Sequence, residues 1–393
     1  MTAGISGWAV LLLIAAVVGV ITRRLHFPYS VGLTLTGIGL AFIPWSPSVT
    51  LSREIVYTGL LPPLIFEAAF EMRWDALRPS LALVTSLATV GVMLSALGTA
   101  LAVAILLDWP IAGALAFGTL MAATDPVFVI ATLREAGIGG RLAVLFEAES
   151  LLNDGTAAVL FGLVLAFAAG APLTVPAIAL KLVTTVVGAV IAGGAVAAGA
   201  LALLGRTDDH LLEMTLTAVA AYGSFLLAER FGGSGVLATL TCGLLLGRLG
   251  SRWSLLSPAG AQALRTTWEF LTFIANSLVF LLVGLAVGHE HLPDVWSLAA
   301  IGIVAVLFGR AAAVYPICAM FGRGEQRVPA LQQHALVWGG FRGALALALA
   351  LTIPAAFPAR GPVVVTTFAV VAFSVIVQGL TCRPLLRRVS AQP

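Results

Sequence analysis

Six oxygen-bearing side chains stand in a stretch between two long apolar runs: Thr124, Asp125, Glu149, Ser150, Asn153 and Asp154. Carboxylates at bilayer depth are costly, and they mark ion or substrate pathways. On one helix, Ser150 and Asp154 are i,i+4 neighbours, and so are Glu149 and Asn153. The resulting polar stripe offers carboxylate, hydroxyl and amide oxygens, which suit a hard monovalent cation. Asp154 is the centre of this reading. A plain structural carboxylate satisfied by its neighbours is the alternative, but Asn153 beside it and Ser150 and Asp125 nearby favour a group that holds either a proton or a cation. Burial disfavours a charged carboxylate and a bound cation favours it, so the two compete for one site.

The elements that must position these groups follow from the flanking sequence. Pro126 directly follows Asp125 and cannot donate a helical hydrogen bond. Thr124–Asp125–Pro126 is therefore expected to break a membrane helix, which is tolerated only where the freed backbone is buried in protein or lines a wet cavity. Thr124 can then offer a hydroxyl or a carbonyl. Asp125 can either help to bind the ion or compensate the partial charges of the half-helix ends.

Thirteen candidate spans run over residues 6–22, 30–44, 53–71, 79–107, 111–133, 141–169, 174–204, 209–229, 234–250, 262–288, 295–321, 329–352 and 363–386. A span needs roughly 20 apolar residues, so the second and ninth are short. With the N-terminus outside, most arginines fall on the cytoplasmic side, and Arg53, Arg230 and Arg360 fall outside. Residues 1–7 carry no basic residue and Arg23-Arg24 follow the first apolar run, the wrong order for a cleaved signal. Thirteen spans allow two inverted six-helix repeats joined by the seventh. The fifth breaks at Asp125-Pro126, and its repeat partner, the twelfth, carries Gly339-Gly340 and Gly343. The expected fold class is thus an all-α membrane protein with a broken helix at a matching position in each repeat.

Composition agrees. Of 393 residues, 60% are hydrophobic and 10% charged, and the mean hydropathy is +1.05. A soluble domain has about 25% charged residues. The net charge of +3 sits in short loops and is not a nucleic-acid signal. Cys242, Cys318 and Cys382 are an odd count within or beside apolar segments, which reads as packing rather than a disulfide framework. The sequence has no Cys/His metal cluster, nucleotide loop or nucleophile–base arrangement, so no enzyme chemistry and no cofactor are expected. Lys181 can snorkel from a span end. Arg310 and Arg342 cannot easily do so, and Arg310 is a candidate core partner for backbone carbonyls. His289 and His291 read as solvated loop residues, while His334 and Glu67 are weaker candidates for a pH response.

TDPV from Thr124 followed by ESLLNDGTA from Glu149 resembles the monovalent cation/proton antiporters of the NhaP/NHE type. LPPLIFEAAF from Leu61, SGVLATLTCGLLLG from Ser234, NSLVFLLVGLAV from Asn276 and LVWGGFRGALALALAL from Leu336 agree with that pattern. The resemblance implies that Asp154 and Asp125 carry the proton/cation exchange, Asp125 being needed for transport. It implies a Na⁺ site drawn from Asp154, Ser150, Thr124, Glu149 and Asn153, and a buried ion pair between Glu149 and Arg342. It also implies a core transport domain of residues 76–170 and 291–393, with crossed broken helices, and a dimerisation domain of residues 1–75 and 171–290. The implied function is Na⁺/H⁺ antiport by an elevator-like slide in a homodimer of the plasma (inner) membrane, contributing to pH homeostasis, with the C-terminus cytoplasmic. Electrogenic relatives carry two adjacent aspartates where this chain has Asn153-Asp154, so electroneutral exchange is expected. K⁺ or Li⁺ as the preferred cation, and a channel or non-transporting sensor, remain alternatives. Phe128 departs from the family pattern, which has a small residue after TDPV, and so does Arg248 after LLLG.

Overall fold

The computed structural model describes residues 2–25, 27–43, 54–72, 74–171, 174–207, 209–252, 258–288, 296–323 and 326–390. His289, His291, Arg53 and Arg73 lie outside the described residues. Every regular element described is helical. In chain order these are α1 (Thr2–Arg24), α2 (Tyr29–Ala41), a π-helical segment (Glu54–Leu60) continuing into α3 (Leu61–Glu71), α4 (Trp74–Leu77), α5 (Leu81–Ser86), α6 (Val92–Leu107), α7 (Ile111–Ala122), α8 (Pro126–Ala136) and α9 (Gly140–Ala168). There follow α10 (Val175–Leu204), α11 (His210–Arg230), α12 (Gly235–Arg252), α13 (Pro258–Gly288), α14 (Trp296–Met320), α15 (Ala330–Trp338), α16 (Ala344–Leu351), α17 (Arg360–Phe373), a π-helical turn (Ser374–Gln378) and α18 (Gly379–Ser390).

Among the described residues, eight helices are long and apolar enough to cross a bilayer. They include Trp74–Leu107, which runs through short 3₁₀ and π turns, and the 29-residue Gly140–Ala168. Tyr29–Ala41, Ile111–Ala122 and Gly235–Gly250 are shorter apolar helices. Helix starts follow local chemistry. Pro28, Pro110 and Pro329 stand just before α2, α7 and α15, where a missing N–H costs nothing. The Asp209 carboxylate accepts from Leu211 N (2.8 Å) and caps α11.

The chain divides into two compact units. One comprises residues 57–78 and 174–276. Its core is Phe66, Leu201, Leu204, Leu246, Leu264 and Trp268 with small alanines between them. Phe66 and Trp268 bring their ring centroids to 4.6 Å. Cys242 is buried there, and Cys318 and Cys382 are buried in the other unit; all three are free thiols.

The other unit comprises residues 1–56, 79–173 and 277–393, and it holds Thr124, Asp125, Glu149, Ser150, Asn153, Asp154 and Arg342. Here α6 lies against both α7 and α14, and α9 against α7 and α8. Small residues permit these approaches, as membrane helices require. A Cβ on Gly309 of α14 would come within 2.6 Å of the Ser95 carbonyl, so α6 and α14 touch backbone to backbone. That contact fixes the depth of Arg310, the next residue.

Candidate functional site

The first helix interruption falls at the expected place. Helix α7 ends at Ala122, Ala123 is extended, and α8 restarts at Pro126. Asp125 Oδ1 accepts from the Phe128 amide (3.3 Å), so this carboxylate caps the restarted helix. The interruption exposes Thr124 to α9. There, Thr124 N donates to Asn153 Oδ1 (3.0 Å), and Asn153 Nδ2 donates to Thr124 Oγ1 (2.6 Å). The Ser150 hydroxyl lies 2.9 Å from Thr124 Oγ1 and donates to the Thr124 carbonyl at 2.9 Å. Thr124, Ser150 and Asn153 are all buried, so the freed backbone of the break is satisfied internally. The predicted stripe on α9 and the predicted break therefore meet.

A second interruption separates α15 from α16 over residues 339–343. The two breaks touch: Asp125 N donates to the Phe341 carbonyl (2.8 Å). A Cβ on Gly343 would overlap the Asp125 carboxylate, so only glycine fits there. Phe128 packs edge-on to Phe341 (centroids 4.4 Å apart) and to Phe280 (5.4 Å). The bulky residue at 128 thus fills space beside both breaks.

The buried ion pair differs from expectation. Glu149 is held not by Arg342 but by Arg310 of α14, through two parallel bonds: Nη1 to Oε1 at 2.7 Å and Nη2 to Oε2 at 2.8 Å. This bidentate fork is the strongest geometry available to the pair. Asn153 Nδ2 adds a third donor to Glu149 Oε1 (2.9 Å). Arg310 also donates Nε and Nη2 to the Leu336 carbonyl, both at 3.3 Å, which bears out its reading as a partner for backbone carbonyls. The physical reason is placement. Arg310 projects from a continuous helix locked against α6, whereas Arg342 sits in the break, where its side chain reaches no oxygen within hydrogen-bonding distance.

Among the buried side chains with unsatisfied polar atoms, two charged groups beside the breaks stand out. Both Asp154 oxygens lack a hydrogen-bond partner, and so do all three Arg342 guanidinium nitrogens, though each residue is 1% exposed. Each lies within range of the other's charge, and Asp154 also lies within range of Asp125 and Glu149. A buried carboxylate with no donor is costly unless another species occupies its oxygens. Ser374 and Gln378 were not singled out in the sequence; they sit on the π-helical turn and bond the backbone of the second break. Their signal was a polar pair at i,i+4 inside an apolar run. Among the described residues there is no His/Cys/Asp/Glu group arranged to hold a resident metal.

Two broken helices meeting at buried carboxylates, in an all-helical apolar chain, define an integral membrane protein of the ion-carrier class. The family model for the transmembrane sodium/hydrogen exchanger matches residues 10–388. The chain belongs to that family, whose members are transporters rather than enzymes and use their transported ions as substrates. It is 38% identical over 365 residues to the Na⁺/H⁺ antiporter ApNhaP of Aphanothece halophytica, covering 92% of this chain and 70% of the relative. It is 35% identical over 366 residues to the low-affinity Na⁺/H⁺ antiporter NhaS1 of Synechocystis sp., covering 92% and 69%. The fold matches that of the sodium proton antiporter MjNhaP1 from Methanocaldococcus jannaschii, with a TM-score of 0.79, 21% identity and 99% coverage of both chains.

Proposed function

We propose that the chain exchanges Na⁺ for H⁺, one for one, with both competing for Asp154. The observation that carries this reading is the charge of the buried cluster. Asp125, Glu149 and Asp154 face Arg310 and Arg342, so three negative charges meet two positive ones. One excess negative charge remains, on the carboxylate that has no hydrogen-bond donor. A single monovalent cation or a single proton neutralises the cluster, and either loaded form can cross without a net buried charge. The empty form keeps the charge and is held back, which couples the two fluxes. Glu149 is occupied by its bidentate partner Arg310. Thr124, Ser150 and Asn153 supply oxygens once the ion draws them from each other. Asp125 acts through the α8 cap and the Phe341 contact, and Asp154 takes the ion.

Thirteen spans, an N-terminus outside and a cytoplasmic C-terminus complete the reading. The eight long helices, the three shorter ones, the π-continued α3 and the interrupted α15–α16 pair are consistent with that count. The transport core is assigned to residues 76–170 and 291–393 and the dimer-forming part to residues 1–75 and 171–290, with an elevator-like slide between them in a homodimer.

The test is reconstitution in liposomes with an internal pH dye, adding Na⁺, Li⁺ and K⁺ in turn. Na⁺-driven proton movement is expected. Next, a membrane potential is imposed with K⁺ and valinomycin, after showing that K⁺ itself is not exchanged. A Na⁺/H⁺ equilibrium that moves with voltage would exclude one-for-one exchange.

A further inference from the structure

The hydrogen bonds of the two breaks run head to tail as one chain. The Ser150 hydroxyl donates to the Thr124 carbonyl (2.9 Å). The same peptide unit presents the Asp125 N–H, which donates to the Phe341 carbonyl (2.8 Å). That peptide unit in turn presents the Arg342 N–H, which donates to Ser374 Oγ (2.8 Å). Ser374 Oγ donates to Gln378 Oε1 (2.6 Å), and Gln378 Nε2 donates to the Trp338 carbonyl (2.7 Å). Trp338 ends α15 and Arg342 lies near the start of α16, so one π-helical turn grips both sides of the second break. Single π turns inside helices recur at functional sites.

Each link polarises the next, because accepting a bond on a carbonyl strengthens the N–H of the same amide. Such chains gain roughly 10–30% per bond. All the links but the last, from Gln378 to the half-buried Trp338, lie between buried residues, where the low dielectric enlarges the effect. The Thr124 carbonyl stands at the ion-site end, and the Asp125 N–H bond behind it makes that oxygen more negative.

We propose that Ser374 and Gln378 are positioning residues for the cation site, acting through the two peptide planes at 341–342 and 124–125. They touch neither ion nor proton. They set the tilt of both planes and the electron density on the Thr124 oxygen, and so tune affinity and the Na⁺/Li⁺ preference. The smaller Li⁺ holds its ligands closer and responds more steeply to their charge. This inference rests on the exchange reading, and its test separates the two.

Wild type, Ser374→Ala, Ser374→Thr and Gln378→Met are purified and compared in two assays. Amide hydrogen exchange, resolved at Asp125 and Arg342, needs no transport. In Ser374→Ala the Arg342 amide, which loses its acceptor, should exchange about tenfold faster, and the Asp125 amide one link on by about 1.3- to 2-fold, the scale of a 10–30% weakening; Ser374→Thr should restore both. In liposomes, Ser374→Ala and Gln378→Met should raise KM for Na⁺ about 3- to 10-fold, and KM for Li⁺ more, with kcat within about twofold of wild type. A merely structural role would lower yield and thermal stability and leave the ratio of the two KM values unchanged. Unchanged exchange of the Asp125 amide in both Ser374→Ala and Gln378→Met overturns the relay, and so does altered exchange with both KM values at wild-type level. A wild type that moves no cation defeats the exchange reading instead, and the amide exchange arm then decides the relay alone.

Discussion

The Glu149–Arg310 pair can be broken from either side, and the structure sets the cost. Both side chains are buried, at 1% and 5% exposed, and two bonds of 2.7 and 2.8 Å join them. A hydrogen bond to a charged group contributes about 1.5–3 kcal/mol, so the fork contributes about 3–6 kcal/mol before the cost of burying the charges. Removing one partner of a buried pair costs about 3–5 kcal/mol, because the other is left uncompensated. In Arg310→Met, Glu149 keeps only the Asn153 amide (2.9 Å), and the Leu336 carbonyl loses both donors. The expected loss is therefore about 4 kcal/mol. Glu149→Gln alone should cost about 2–3 kcal/mol, since the amide oxygen still accepts one bond. In the Arg310→Met background that second change should cost little, giving a coupling of about 2–3 kcal/mol. The same cycle with Arg342→Met should show less than about 1 kcal/mol, for Arg342 shares no hydrogen bond with Glu149. The assay is reversible unfolding in mixed micelles for the four members of each cycle. Losses that add within about 0.5 kcal/mol for Arg310, or a larger coupling for Arg342, would refute the pairing.

Asp154→Asn is expected to abolish Na⁺-driven proton movement in vesicles, since an amide can neither release a proton nor neutralise the ion; residual voltage-independent exchange would move the site elsewhere. If one proton competes with one cation, apparent KM for Na⁺ rises tenfold per pH unit on the acid side; a hundredfold slope would mean two protons. Gly343→Ala forces a methyl group into the Asp125 carboxylate, at about 1–3 kcal/mol of overpacking, and exchange should fall at least tenfold while the protein still folds. A reporter fused after Pro393 should be active only on the cytoplasmic side, and exterior activity would reject the proposed orientation.

Local chemistry made much of the site legible in advance. Pro126 after Asp125 announced the first break, and Gly339-Gly340 with Gly343 announced the second, because both patterns act on the backbone where they stand. The i,i+4 spacing placed Ser150 with Asp154 and Glu149 with Asn153 on one helix, and α9 carries all four. The partner of Glu149 was not legible. Two arginines were too deep to snorkel, and nothing in their spacing from Glu149 distinguishes them. The choice is made by the Gly309–Ser95 contact, a tertiary fact that brings Arg310 to Glu149's depth. The π turn at Ser374–Gln378 was equally hidden, since its register shift arises from bonds to a segment more than thirty residues away.

Asn153 carries a consequence for how such a carrier can change over generations. Its amide receives the Thr124 N–H and gives protons to both Thr124 Oγ1 and Glu149. A carboxylate has the same shape but no proton to give. A single codon change to aspartate would therefore set an acceptor against the Glu149 oxygen, force the Thr124 hydroxyl to turn from acceptor to donor and add a second uncompensated charge. On the one-for-one exchange proposed above, a carrier that moves two protons per cation is separated from this one by a valley rather than a step. Thr124 or Glu149 must be rewired first, or in the same lineage, before a second aspartate is tolerated beside the first.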